Sequence, residues 1–115
     1  MQFMLLIYNE ESTLGNMPPD QMGGVMAAYM AYRQELEKAG AFLAGGQLQP
    51  VATAKTVSVR DAQASVVDGP FSETKEALGG YHLIQCASQD EAVAWARRHP
   101  GAQYGRIEVR PLVMR

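Results

Sequence analysis

The stretch that decides the fold is residues 81–99, YHLIQCASQDEAVAWARRH, where a strand pattern passes directly into a helix pattern. Residues 81–87 alternate in the way that a β-strand requires, because successive side chains point to opposite faces. Tyr81 and Leu83 share one of these faces. The other face carries His82, Ile84 and Cys86.

A helix is predicted to begin immediately after this strand. Ser88 at the N-cap and Glu91 three residues later form a capping box, which is the most specific local signal in the chain. The helix is expected to run to about His99 and to end before Pro100 and Gly101. Its basic last turn suits the negative end of the helix dipole. The apolar stripe of this helix consists of Ala92, Trp95 and Ala96, with Val93 beside it.

Five more strands are predicted around this unit. Residues 104–110 form the last strand, and residues 55–60 and 64–67 form a hairpin with one wet face. Residues 41–48 form a strand in which two adjacent glycines, Gly45 and Gly46, indicate a bulge or a close backbone approach. Residues 2–8 are apolar on both faces, so both faces of the sheet should be covered.

A long helix is predicted between residues 19 and 39, after a loop at residues 9–18. Pro19 suits its first position, and Gly40 suits its C-terminal cap. Two apolar stripes run along it, for which core packing is the favoured interpretation. The methionine stripe could instead line an adaptable pocket or a subunit contact. The stripes are Val25, Tyr29, Tyr32, Leu36 and Ala39, and Met22, Met26 and Met30.

The resulting order is β-α-β-(ββ)-β-α-β, which is typical of a ferredoxin-like α+β fold with an antiparallel sheet and two helices on one face. The length of 115 residues predicts one domain, residues 1–115. Two helices leave the second face of the sheet uncovered, and a large apolar patch there predicts a homodimer. That face is expected to include Met4, Leu6, Tyr8, Ile84 and Cys86.

Charge and cysteine content exclude several classes of protein. Ten basic and twelve acidic residues give a net charge of -2, so nothing favours nucleic acid or an anionic membrane as a partner. The single cysteine, Cys86, excludes an internal disulfide and fits a cytoplasmic protein. The apolar start of the chain is too short for a signal peptide or a membrane span.

Carboxylate, hydroxyl and ammonium side chains are most concentrated in residues 68–76, DGPFSETKE, and we expect this stretch to line a small-molecule pocket. Asp68 could be a general base or could hydrogen-bond its own turn, and the turn role is favoured. Glu73 could be a second pocket carboxylate or a solvated side chain. Phe71 is expected to anchor the loop to the core or to a partner subunit, with a pocket wall as the alternative.

Other candidates lie on the strands. His82 could be an acid–base group facing the dimer interior or a satisfied buried polar residue. Tyr8 is expected near a cavity between subunits. Arg110 could clamp an anionic substrate together with Arg106, or both could belong to the wet face of an edge strand.

No cofactor or metal is expected. His82 and Cys86 share a face but would lie about 13 Å apart along a strand, too far to hold one ion. His99 lies at a helix end without a matching partner. The sequence contains neither Gly-x-Gly-x-x-Gly nor a Walker loop.

Many segments in order give the chain a resemblance to the YCII-related proteins, and within them to the branch named for the motif Asp68-Gly69-Pro70-Phe71. The resemblance implies a dimeric α/β barrel. Some YCII relatives are small lyase-like or dehalogenating enzymes that use a His–Asp pair, and members of this branch are often encoded beside extracytoplasmic-function sigma factors. The other matching segments are residues 4–8, 48–50, 72–76, 79–81, 91–92, 95–96 and 108–111.

One departure separates this chain from those relatives. Their histidine falls on Tyr29, which with an ordinary pKa near 10 cannot act as a base at neutral pH without strong tuning. Two hypotheses therefore stay open. The first is a cofactor-free lyase- or isomerase-like enzyme for a small polar or anionic metabolite, with Asp68, His82 and Tyr29 handling protons. The second is a non-catalytic ligand-binding or regulatory module associated with a sigma factor.

Overall fold

The computed structural model describes residues 1–115, which form a four-stranded antiparallel sheet, a separate two-stranded hairpin and three α-helices. The sheet order is β2-β5-β1-β6, with β1 and β5 in the centre, and it agrees with the predicted ferredoxin-like α+β class. The strands are β1 (Gln2–Asn9), β2 (Phe42–Gln47), β3 (Lys55–Arg60), β4 (Gln63–Asp68), β5 (Ala77–Gln85) and β6 (Gly105–Pro111). The helices are α1 (Glu11–Gly15), α2 (Pro19–Lys38) and α3 (Gln89–Arg98).

Local signals fix both long helices. The Ser88 hydroxyl accepts a hydrogen bond from the Glu91 amide at 3.2 Å, and the Glu91 carboxylate accepts one from the Ala87 amide at 3.1 Å. The predicted capping box is therefore confirmed, with its second bond displaced by one residue. Helix α2 begins at Pro19 as predicted, and Gly40 follows it with a φ of 70°, a conformation that favours glycine.

Two elements depart from the sequence prediction. The short helix α1 occupies part of the predicted loop at residues 9–18. Strand β5 begins at Ala77, so that Gly80 lies inside a strand instead of a loop. A side chain at Gly80 would place its Cβ 2.9 Å from the Gly46 carbonyl oxygen. Glycine therefore serves a close strand–strand approach here, which the sequence alone does not distinguish from a turn.

The core lies between the sheet and the helices α2 and α3. Phe3, Leu5 and Ile84 from the sheet pack against Leu36 and Ala92 from the helices, and all five are fully buried. Burial of a large apolar side chain contributes about 1.5–3 kcal/mol, so this face holds the fold together.

The pairing of β5 with β1 corrects the predicted faces of β5. Leu5 lies opposite His82 and Phe3 lies opposite Ile84, so both β5 side chains join the face that the helices cover. Cys86 also packs against this core. The prediction that His82, Ile84 and Cys86 lie on the uncovered face assigned to the dimer interior is therefore wrong.

The uncovered face of the sheet carries half-buried apolar side chains. Tyr81 lies opposite Leu6, and Leu83 lies opposite Met4. Tyr81 and Leu83 therefore lie on this face in place of Ile84 and Cys86. Met4, Leu6 and Tyr8 lie on this face as predicted. The expected homodimer remains a prediction.

The hairpin of β3 and β4 stands apart from the main sheet. Its turn places Asp61 and Ala62 at φ values of 50° and 62°, as two-residue hairpin turns require. Val57 and Val66 pair across it and are both 62% exposed. The Thr56 hydroxyl donates to the Gly69 carbonyl at 2.8 Å and ties the base of the hairpin to the following loop.

No helix of the chain is both long enough and apolar enough to span a bilayer.

Candidate active site

A cavity of about 220 Å³ lies between helix α2 and the glycine-rich parts of β2 and β5. Its lining contains polar side chains and one cation, but neither aspartate nor glutamate. The polar and charged residues are Asn9, Tyr29, Arg33, Gln47 and His82. The apolar residues are Ile7, Leu14, Val25, Met26, Met30 and Phe42. The remainder of the wall is formed by the glycines of residues 45–46 and 79–80.

His82 forms the deep end of this cavity. It is 8% exposed, and its ring packs against Tyr32 at 5.7 Å and Phe42 at 6.3 Å between ring centroids. Gly45 lies opposite it on β2. A Cβ at Gly45 would lie 2.7 Å from His82 Cδ2 and 3.2 Å from Nε2, so glycine makes room for the imidazole. The predicted close backbone approach at the glycine pair is thereby confirmed.

A second histidine lies behind His82. The Nδ1 atom of His82 is 3.0 Å from the Nε2 atom of His99, and His99 Nδ1 accepts a hydrogen bond from the Gly101 amide at 2.9 Å. The other ring nitrogen of His82, Nε2, has no hydrogen-bond partner in the chain, yet no fully enclosed side-chain nitrogen or oxygen lacks one. Nε2 is therefore the atom of His82 that remains accessible from the cavity.

The sequence predicts that His99 suits the negative end of the α3 dipole, but the structure buries this side chain. It is 1% exposed and packs against the Tyr32 ring at 4.7 Å. Burial first and the neighbouring His82 second lower its pKa from 6.5 to about 3, so it is neutral. The sequence did not reveal this neighbour, because His82 lies 17 residues away on β5.

Tyr29 reaches the same region from α2. Its ring meets that of His99 edge to face at 5.3 Å. Its hydroxyl lies against Gly101, where an added Cβ would be only 2.9 Å from the oxygen. Burial, and to a smaller extent Tyr104, raise the pKa of Tyr29. Tyr29 therefore stays protonated and offers an O–H donor.

Arg33 supplies the positive charge at the cavity rim. Its guanidinium carbon lies 4.5 Å from the centre of the Phe42 ring, and its Nε is 3.2 Å from a carboxylate oxygen of Glu37. Burial first and Arg33 second lower the pKa of His82. Arg33 was not among the residues predicted from the sequence, although its helical spacing of three from Met30 and four from Tyr29 places it on the same face of α2.

Two methionines of the predicted second stripe also line the cavity. Met26 and Met30 are 49% and 63% exposed, so the favoured prediction of core packing is wrong for both. Their position agrees with the alternative, an adaptable pocket wall.

The loop at residues 68–76 lies elsewhere, on a separate open groove of about 960 Å³. Tyr8, Phe71 and Glu73 line this groove. Phe71 is 90% exposed, so it does not anchor the loop to the core of its own subunit. The expected contact with a partner subunit stays a prediction.

Asp68 and Arg110 belong to neither lining. The Asp68 side chain is 83% exposed and forms an ion pair with Lys55 across the hairpin. Arg110 lies opposite Met4 on the edge strand β6, on the uncovered face. Of the three residues expected to handle protons, the fold therefore brings together His82 and Tyr29 and leaves Asp68 apart.

Comparisons with known proteins agree with this architecture. An uncharacterized protein of Rhizobium meliloti (strain 1021) is 37% identical over 116 residues, covering 99% of this chain and 94% of the relative. A solved structure with the same overall fold is the 5-chloro-2-hydroxyhydroquinone dehydrochlorinase (TftG) from Burkholderia phenoliruptrix AC1100 in complex with 2,5-dihydroxybenzoquinone. Its TM-score is 0.57 at 16% identity, with 98% of this chain and 94% of that chain covered. The model of the YCII-related domain matches residues 1–114, and the chain therefore belongs to the YCII-related family.

Proposed function

We propose that the protein is a cofactor-free enzyme of the lyase or isomerase type that acts on a small anionic metabolite in the cavity between α2 and the sheet. The observation that carries this proposal is the convergence of His82 and Tyr29 on one partly enclosed space with Arg33 at its rim. Preorganised donors aimed at an oxygen that gains negative charge are a major source of enzymatic rate enhancement.

The size and lining of the cavity narrow the class of ligand. A cavity of about 220 Å³ is smaller than those that hold drug-sized molecules. Phe42 and the aliphatic wall suit a flat or apolar ring, while the donors and Arg33 suit oxygen substituents. The hydroxyquinone in the complex of the dehydrochlorinase is a ligand of this kind, which supports its use as a probe.

The test compares two tyrosines that lie on opposite faces of the sheet. Calorimetric titration with 2,5-dihydroxybenzoquinone should show binding to the wild type. Removing one hydroxyl with Tyr29→Phe should weaken it about 10–100-fold, as loss of a hydrogen bond to a charged group does. The matched control Tyr8→Phe should change the affinity by less than about 2-fold.

Two outcomes would contradict the proposal. One is a wild type that binds the neutral ring 1,4-dimethoxybenzene as tightly as the hydroxyquinone. The other is a larger loss of affinity in Tyr8→Phe than in Tyr29→Phe.

One observation favours a second candidate, a non-catalytic ligand-binding or regulatory module. The cavity lining contains no carboxylate, so it lacks the commonest side-chain base apart from histidine. The sigma-factor association implied by the Asp68-Gly69-Pro70-Phe71 motif would then concern a protein partner. Binding of the hydroxyquinone, with the compound recovered unchanged after prolonged incubation, would favour this candidate over the enzyme.

We further propose that the uncovered face of the sheet is the interface of the homodimer. Its support is the continuous set of half-buried apolar side chains across β1 and β5. The list is Met4, Leu6, Tyr8, Tyr81 and Leu83. A monomeric mass by light scattering at micromolar concentration would contradict this, and a twofold mass that Leu83→Lys reduces would support it.

A further inference from the structure

We infer that His99 is a positioning residue that holds His82 in one tautomer, with its only proton on the Nε2 atom that faces the cavity. His82 would then act as a hydrogen-bond donor to a ligand oxygen and not as a base. This inference rests on the proposed function only in naming the ligand, since the tautomer itself follows from contacts within the chain.

A backbone amide fixes which atoms donate and which accept in these hydrogen bonds. The Gly101 N–H can only donate, so His99 Nδ1, 2.9 Å away, must be an unprotonated acceptor. A neutral imidazole carries its single proton on the other nitrogen, so His99 is protonated at Nε2. His99 is fully enclosed and both of its ring nitrogens are occupied by these two contacts.

The tautomer of His99 in turn determines the tautomer of His82. His99 Nε2–H donates to His82 Nδ1 at 3.0 Å, which makes that nitrogen an acceptor. The single proton of neutral His82 must then lie on Nε2, the nitrogen without a partner in the chain.

A positively charged His82 does not fit this arrangement. Its Nδ1–H would face the Nε2–H of His99, and His99 cannot turn its ring without leaving the Gly101 amide unsatisfied. Among the charged and titratable groups around His82, only Arg33 adds to this penalty. Arg33 from α2 is positive, and Tyr32 from α2 is held protonated by a raised pKa. His99 is itself neutral, and the residue opposite on β1 is Leu5.

The consequence for the ligand is specific. The accessible nitrogen of His82 already carries a proton, so it cannot accept one from a substrate. It can donate a hydrogen bond to a carbonyl, enolate or phenolate oxygen, a role that neutral histidine can fill in catalysis. Tyr29, which also lines the cavity, stays protonated and can donate a second hydrogen bond. The ligand should therefore present an oxygen acceptor to both residues.

Two substitutions at His99 separate donation from simple packing. Glutamine extends as far as the imidazole Nε2 and carries a donor there, so His99→Gln can still donate to His82. Asparagine places its oxygen near the position of Nδ1 but is too short to reach His82. His99→Asn can therefore satisfy the Gly101 amide without fixing the tautomer of His82.

The experiment is two-bond ¹H–¹⁵N spectroscopy of the imidazoles in the ligand-free full-length protein, between about pH 6 and about pH 8. In the wild type we expect a protonated Nε2 and an unprotonated Nδ1 on both histidines throughout this range. His99→Gln should retain this signature at His82. His99→Asn should give a mixture of tautomers at His82 and a pKa closer to the ordinary value.

Protonation of His82 at Nδ1 in the wild type, or on both nitrogens at neutral pH, would overturn the inference. An unchanged His82 signature in a folded His99→Asn protein would also overturn the role of His99. Because no ligand is present, failure of the hydroxyquinone to bind would contradict the proposed function and leave this result intact. Conversely, a different tautomer of His82 would contradict this inference but would not bear on whether the hydroxyquinone binds in the cavity.

Discussion

The cavity around His82 and the loop at residues 68–76 differ in nearly every physical property that makes a site. His82 and His99 are buried, hydrogen-bonded to each other and held by rings from α2 and β2. The loop has more charged and hydroxyl side chains in consecutive positions, but Phe71 is 90% exposed and Asp68 is neutralised by an exposed ion pair. A cluster of polar and charged side chains in the sequence is therefore a weaker guide to a functional site than side chains that are buried and close together in the fold.

The largest expected difference between the two regions concerns stability. Phe3 supports the covered face of the sheet and is 0% exposed, so Phe3→Ala should lower the free energy of unfolding by about 3–5 kcal/mol. Phe71→Ala removes the same side chain from the loop and should change it by less than about 0.5 kcal/mol. Urea denaturation of both variants measures the difference. A Phe71→Ala loss above about 1 kcal/mol would show that the loop packs on a partner subunit.

The second difference is in acid stability. His99 stays neutral in the folded chain because its pKa is lowered to about 3, whereas in the unfolded chain it takes up a proton below about pH 6.5. The unfolded state therefore binds more protons in this window, and stability falls as the pH drops through it. The slope reaches about 1.4 kcal/mol per pH unit for each such histidine.

Unfolding free energies at several pH values between about 7 and about 4.5 measure this slope. His99→Gln removes one titrating group and should flatten the curve by up to that amount per pH unit. An equally steep curve in His99→Gln would contradict the assignment of the acid sensitivity to this residue.

A smaller effect is expected from the glycine that makes room for His82. Gly45→Ala places a methyl group 2.7 Å from His82 Cδ2, so the ring or the strand must shift. We expect a loss of about 1–3 kcal/mol, the usual range for overpacking, together with weaker hydroxyquinone binding. Gly23→Ala, where nothing lies within 4 Å, is the control and should stabilise α2 by up to about 1 kcal/mol. Equal effects of both substitutions would contradict the close approach.

The smallest effect is expected at Asp68, the first residue of the segment Asp68-Gly69-Pro70-Phe71. Lys55→Met breaks the ion pair with Asp68, whose partners are 66% and 83% exposed. Such exposed pairs contribute about 0–1 kcal/mol, and salt screens them. Denaturation at low and at high salt should show almost no difference from the wild type. A loss above about 2 kcal/mol would show that Asp68 is buried in the assembled protein.

The sequence predicts most of the fold because its local signals are strong. The capping box at Ser88 and Glu91 and the Gly40 stop of α2 both form as expected, since each depends on neighbouring residues only. The faces of β5 could not be predicted in the same way. Both faces of that strand are apolar, and the choice between them depends on its register with β1, where Leu5 meets His82.

The candidate site was less predictable than the fold for the same reason. His82 and Tyr29 stand out as residue types, but their convergence depends on how α2 lies over β5. His99 carries no sequence signal of its role, because the contact that defines it spans a strand and a helix. Phe71 shows the reverse case, a sequence signal without the predicted contact. A large apolar residue in a loop predicts an anchor to the core, but Phe71 is exposed.

The most direct test of the central claim is to map the binding of 2,5-dihydroxybenzoquinone by ¹H–¹⁵N chemical-shift changes across the backbone. We expect the largest changes to cluster at Tyr29, Gly45 and His82, with saturation at one common affinity. Largest changes at Phe71 and Glu73, with the signals of Gly45 and His82 unmoved, would contradict it and return the site to the loop.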